Sequence, residues 1–152
     1  MQAIREGLLC TDLPGRFQLL PGRPAVVLDV AHNPQAAGVL AENLAGMGFH
    51  PGTWAVFGML ADKDVEGVAA RMAARVDRWL PCTLPGPRGL SADALAERLR
   101  AAGVAEKAIG ERFASPAAAF AFARESAMTD DRIVAFGSFL TVADVLAAIR
   151  CR

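Results

Sequence analysis

The 152-residue chain carries 16 basic and 16 acidic side chains, a balance that leaves no electrostatic footprint for nucleic acid or for an anionic membrane surface. Its length suits one domain, enough to bury roughly 68–70% of the unfolded surface around a single core. Cys10, Cys82 and Cys151 are an odd set without C-x-x-C spacing, which speaks against a disulfide framework or a zinc site and for a reducing cytoplasm.

The chain opens on "MQAIREGLLCTDLPGR", without a secretory apolar core, and no later apolar run approaches 18 residues. Residues 1–16 read as a polar interdomain linker remnant, with Met1 not the natural start. "FQLLPG" and "PAVVLDV" then predict two strands around the Pro21-Gly22 turn. A helix follows over residues 34–46, with Ala37, Leu40, Ala41 and Leu44 at i, i+3, i+4, i+7 spacing. Residues 53–60 predict a strand and 64–76 a helix with Val65, Val68 and Met72 on one side. "VDRWLPCTL" holds a further strand, and Ser91 caps a helix through Leu99. A short extended piece spans Ile109–Phe113, and Ser115-Pro116 is an N-cap and N1 pair opening a helix to Arg124. "RIVAFGSFL" is the last strand and residues 141–150 the last helix.

Strands separated by helices of this length predict a doubly wound α/β domain: a mostly parallel sheet, helices on both faces, and one antiparallel edge strand from the opening pair. Continuous apolar strands such as Val26-Val27-Leu28 fit a sheet covered on both sides. Ligands bind such sheets beyond the carboxyl ends of their strands. Three exits there carry polar or small residues: Asp29 to Pro34, Gly58 to Asp64, and Gly137-Ser138-Phe139.

Each exit has two readings. Asn33-Pro34 is a helix cap needing no further role. Asp29 either accepts backbone N–H bonds at the strand end or receives ribose hydroxyls. His32 is either a surface imidazole or a ligand to a nucleotide or anionic substrate. Asp62-Lys63-Asp64 is a solvated loop with Asp64 capping the next helix, and Gly137-Ser138 permits close packing or helps hold a carboxylate at a helix entrance. No G-x-x-x-x-G-K-[ST] loop, no G-x-G-x-x-G and no cluster of metal-ligand spacing occurs.

Several motifs are more specific than the fold. "DVAHNP" resembles the D-x-A-H-N-P of the muramyl ligases, while "LPGRFQ", "GMLADKD", "GPRG" and "GSFLTV" resemble the folate branch of the Mur ligase superfamily. Nearly the whole chain is similar, in order, to the Rossmann-like C-terminal domain of bacterial dihydrofolate synthase/folylpolyglutamate synthases. The resemblance divides the chain into residues 1–16, a linker remnant, and residues 17–152, a Mur ligase C-terminal domain.

It implies an ATP-dependent ligase that adds L-glutamate to dihydropteroate and to tetrahydrofolate through an acyl phosphate. The P-loop, the Mg2+ ligands and the catalytic residues would lie in an N-terminal domain, this chain's partner, leaving this piece alone inactive and without a metal site. ATP would be contacted by Arg16, Asp29 and His32, and glutamate by His32 and Ser138. A guanidinium suits phosphate because its planar fork makes bidentate bonds. No nucleic acid, membrane or second copy is implied. Lys63 would be interdomain or structural, and Arg88 a turn residue with a partner. Val30 stands where many members have glycine, and Leu140 where bacterial members commonly have histidine. The alternatives are a muramyl ligase domain and a binding module that kept the fold without the chemistry.

Overall fold

Alternation within the strands sets the architecture. Within Val26-Val27-Leu28, successive side chains point to opposite faces, and both faces are buried. The computed structural model describes residues 17–150. It holds five strands, β1 (Gln18–Leu20), β2 (Ala25–Leu28), β3 (Thr53–Phe57), β4 (Arg78–Pro81) and β5 (Arg132–Phe136). Five helices accompany them: α1 (Pro34–Ala45), α2 (Val65–Met72), α3 (Ala92–Ala101), α4 (Pro116–Ser126) and α5 (Phe139–Arg150).

The sheet order is β1-β2-β5-β3-β4. β1 pairs antiparallel with β2, and every other pairing is parallel. On one face Val27, Phe57 and Phe136 pack with Leu40 and Leu44 of α1, Met72 of α2 and Leu95 and Leu99 of α3. On the other, Val26, Leu28, Val56 and Ile133 pack with Phe120 of α4 and Val145 of α5. Phe57 sits edge-on to Trp79, with ring centroids 5.0 Å apart, in a geometry that aromatic quadrupoles favour.

The caps are where the side-chain chemistry puts them. Asn33, Asp64, Ser91 and Ser115 each accept a bond from a first-turn backbone N–H of the helix that follows, filling donors that a helix cannot satisfy internally. The opposite, amino-terminal edge is tied by Arg132, buried, whose Nε donates to Thr53 Oγ1 at 2.8 Å and Nη1 to the Leu44 carbonyl at 2.6 Å. Burial, and then the positive field of Arg75, depress its pKa.

Three boundaries differ from the expectation. β3 stops at Phe57, because the Gly58 carbonyl turns to accept from Thr141 Oγ1 at 2.9 Å. α2 ends at Met72, where the Arg75 N–H closes a tight turn on the Met72 carbonyl. Residues 109–113 hold the short extended piece expected there, Ile109 bridging Trp79 of β4 and Phe113 bridging Cys82 just beyond it. α5 starts at Phe139 rather than at 141, because the Ser138 carbonyl already receives the Thr141 and Val142 N–H groups.

Candidate functional site at the carboxyl edge of the sheet

Because β2, β5 and β3 are mutually parallel neighbours, their three exits lie side by side. β5, placed between β2 and β3, is followed by α5 on one face, whereas α1 and α2 after β2 and β3 lie on the other. That is a topological switch point, where a crevice forms between helices that depart in opposite directions. Two hollows open there. The larger, about 440 Å³, is lined by Phe17, Asp29, Ala31, His32, Val39 and Asn43 among others. The smaller, about 190 Å³, is lined by His32, Leu60, Lys63, Arg88, Gly137, Ser138 and Phe139. His32 belongs to both.

Asp29 leaves β2 half-buried, its N–H still donating to the Ala135 carbonyl at 3.0 Å. Its Oδ1 accepts from the Ala31 N–H at 2.8 Å and its Oδ2 from the Phe17 N–H at 3.1 Å. The carboxylate therefore organises the strand exit while standing at the rim of the larger hollow. His32 Nδ1 lies 2.9 Å from the Val30 carbonyl. A carbonyl only accepts, so Nδ1 carries the proton and Nε2 is left for a ligand. Val30 keeps an ordinary backbone here, so the exit does not require glycine at that position.

Ser138 is 5% exposed. Its hydroxyl oxygen accepts from the Leu140 N–H at 3.1 Å, which leaves the O–H proton free to donate. Leu140 itself is exposed and lies outside both hollows, along a separate groove with Pro116 and Asp144. Gly137 has φ +114, and a Cβ there would meet the Gly58 carbonyl oxygen at 2.3 Å. The β3 and β5 exits are thus in direct backbone contact, locked by the buried Thr141 bond to Gly58.

The structure assigns positions to Lys63 and Arg88 that their sequence context left open. Lys63 lies on the smaller hollow, with no carboxylate within ion-pair distance among the described residues. Arg88 does have a partner: Nη2 donates to Asp62 Oδ2 at 2.9 Å, and that bond holds the Asp62 carboxyl below its usual range. The Arg88 carbonyl also accepts from the Ala61 N–H at 2.7 Å. Behind the loop, Arg98 Nε donates to Glu66 Oε2 at 2.8 Å and Nη2 to the Lys63 carbonyl at 3.4 Å. The "ADKD" loop is therefore braced from two sides while its half-buried lysine lines the smaller hollow. Phe17, Thr141 and Arg98 escaped the sequence reading; the only signal for Thr141 was the T-V that follows G-S-F. Arg16 lies outside the described residues.

The bond from Arg98 is the main cause holding the Glu66 carboxyl below its ordinary value of 4.5. A depressed carboxylate stabilises the fold above its unfolded pKa and loses that contribution as pH falls through the folded one. Glu66→Gln is accordingly expected to cost no more than about 1 kcal/mol at neutral pH, since the pair is partly exposed. Thermal denaturation should show the gap to the parent closing as pH is lowered below 4.5.

The profile of the family described as Mur ligase, glutamate ligase domain, matches residues 15–139. The chain belongs to that family. The dihydrofolate synthase/folylpolyglutamate synthase of Escherichia coli K12 is 40% identical over 150 residues, 99% of this chain and 34% of the relative. That of Haemophilus influenzae is 32% identical, covering 97% of this chain and 38% of the relative. Escherichia coli FolC in complex with DHPP and ADP superposes with TM-score 0.84 at 39% identity, over 99% of this chain and 34% of that one. A bifunctional folylpolyglutamate synthase/dihydrofolate synthase with Mn, AMPPNP and L-glutamate bound gives TM-score 0.82 at 43% identity, over 98% and 34% of the two chains. This Mur ligase domain thus spans about a third of the length of these relatives, and its α/β fold is theirs. No helix among the described residues is long and apolar enough to cross a membrane.

Proposed function

We propose that this domain supplies the nucleotide- and glutamate-facing half of an ATP-dependent ligase that joins L-glutamate to dihydropteroate and to tetrahydrofolate. The observation that carries the reading is the pair of adjoining hollows sharing His32 at the switch point, in a chain whose relatives are dihydrofolate/folylpolyglutamate synthases. In the reaction, a folate carboxylate takes the γ-phosphoryl group of ATP, giving an acyl phosphate and ADP. The glutamate amine then attacks the acyl carbon, phosphate leaves, and the nitrogen gives up a proton as the amide forms.

The larger hollow suits the nucleoside. Phe17, Ala36 and Val39 offer apolar walls, and Asp29 offers a carboxylate to ribose hydroxyls. Arg16 would reach the phosphates, where charge-assisted bonds contribute about 1.5–3 kcal/mol each. The smaller hollow lies below the size range of drug-like sites and suits a compact amino acid with two carboxylates. The Lys63 ammonium and the Ser138 hydroxyl would receive carboxylate oxygens, and His32 Nε2, with the lone pair free, would face the amine. Among the described residues no group of three or more His, Cys, Asp or Glu side chains converges on one point. The Mg2+ that ATP brings would accordingly be held by the N-terminal domain, and no step assigned to this chain runs through it.

On this reading residues 1–16 belong to the linker that joins residues 17–152 to that P-loop domain. Closure of the two domains within one chain would exclude water from the labile acyl phosphate, asking for no second copy. The cytoplasm, where ATP and glutamate are supplied, is its setting.

The test uses the complete ligase, following ADP release with glutamate and dihydropteroate, tetrahydrofolate or a muramyl nucleotide acceptor. Turnover with the two pterins is expected. Turnover with the muramyl acceptor alone would move the domain to the sister branch, and no turnover would leave a binding module. Arg16→Ala and Asp29→Ala are each expected to raise the KM for ATP or lower kcat by about tenfold or more, the effect of one lost charge-assisted bond. Unchanged kinetics in both would remove the nucleotide assignment.

A further inference from the structure

A further hollow, of about 270 Å³, opens at the other end of the strands, between the β1–β2 turn, α4 and the end of α5. Its floor is apolar. Val26 and Phe120 are buried beneath it, while Leu20, Leu146 and Ile149 are only partly covered by the core cluster they pack against. Three arginines, Arg23, Arg124 and Arg150, line the same hollow, and no acidic side chain does. Arg23 is paired with Asp130. The Arg124 guanidinium carbon lies 5.6 Å from the centre of the Phe120 ring, and a guanidinium laid on a ring keeps its N–H edge for an acceptor. Neither Arg124 nor Arg150 has an ion-pair partner among the described residues. A cation in the last turn complements a helix's carboxyl end on any side of the axis. That role accounts for the presence of these two arginines but not for their meeting at one hollow.

We propose that this hollow binds a small apolar carboxylate, with an aromatic or branched hydrocarbon body seated on Leu20, Leu146 and Ile149 and its carboxylate received by Arg124 and Arg150. Apolar walls with a few convergent polar groups are the usual build of a small-molecule site, and the volume stands near the lower end of their range. The planar fork of arginine matches a carboxylate with parallel bonds. Like charges gathered at one place repel, and an anion seated among them turns that repulsion into attraction.

The probe is hydrocinnamate, a phenyl ring on a short chain ending in a carboxylate, titrated into the complete protein and followed by ligand-observed NMR. Saturable binding is expected, with a Kd of about 5 mM or tighter, the scale for so small a ligand. The amide of the same acid keeps the shape and lacks the charge, and should bind at least about tenfold more weakly. Inorganic phosphate offers charge without the apolar body, and should displace the probe at least about tenfold less well than the unlabelled acid does. Arg124→Gln combined with Arg150→Gln is expected to weaken the probe by about tenfold or more. Lys63→Ala, at the opposite edge, should change its Kd by no more than about twofold. Acid and amide binding alike would leave only an apolar surface, and phosphate competing as well as the acid would leave an unselective anion patch. Sensitivity to Lys63 rather than to the arginines would place the probe at the carboxyl edge. Each of these outcomes would overturn the proposal, as would a lack of saturation by about 50 mM. The acid, amide and phosphate arms use the parent protein and decide the matter whether or not the double variant folds. None of them measures ligation, so their outcome is separate from that of the ligase reading.

Discussion

Gly137→Ala is expected to lower the melting temperature by about 6–12 °C and to abolish ligation by the complete enzyme. Two costs combine. A Cβ at this position sits 2.3 Å from the Gly58 carbonyl oxygen and 3.0 Å from Met59 Cγ, and forced overpacking of this kind costs about 1–3 kcal/mol. The backbone at φ +114 adds strain of about 1–3 kcal/mol for any side chain. The Gly58 oxygen cannot retreat, because the buried Thr141 hydroxyl holds it at 2.9 Å. A total near 3 kcal/mol corresponds to that shift for a domain of this size. Relief would come from parting β3 and β5 at the edge where Ser138 and Lys63 face one hollow, so activity falls with stability. Calorimetry and glutamate-dependent ADP release check the two halves separately. A melting temperature within about 2 °C of the parent, inside the scatter of neutral substitutions, would show that the exits are not in hard contact.

Lys63→Ala is expected to raise the KM for glutamate by about 10- to 150-fold, the equivalent of one charge-assisted bond of 1.5–3 kcal/mol. The KM for ATP should change by no more than about twofold, because the ammonium lines the smaller hollow and not the larger one. The side chain has no ion-pair partner among the described residues, so its loss strands no buried carboxylate and should leave the melting temperature in place. Its loop is held through backbone and neighbouring side chains, by Arg88 on Asp62 and Arg98 on Glu66. Lys63→Arg keeps the charge on a different donor geometry and should recover part of the glutamate affinity. A parallel rise in both KM values would mean that Lys63 acts through domain closure.

These two residues show where local information ends. The helices, their caps and the antiparallel edge were legible because each depends on neighbours a few positions away. Asn33 bonds Ala36 and Ser115 bonds Ala118, and alternation within Val26-Val27-Leu28 needs only the pleat. The parallel sheet followed from the order of elements, and Asp29, His32 and Ser138 stand out in the sequence from their places at strand exits. The resemblance pointed to the family that the comparison then showed.

The tertiary structure alone decided that β5, last in the chain, inserts between β2 and β3. That insertion brings Ser138 beside His32, more than a hundred residues away, and turns the "ADKD" lysine toward both. Both Arg88, a brace on Asp62, and Lys63, without an ion-pair partner among the described residues, line the smaller hollow. Strand order is set by which apolar faces pack best across the whole core. No window of sequence contains that comparison, so the residues facing one another across the hollows were settled only when the sheet closed.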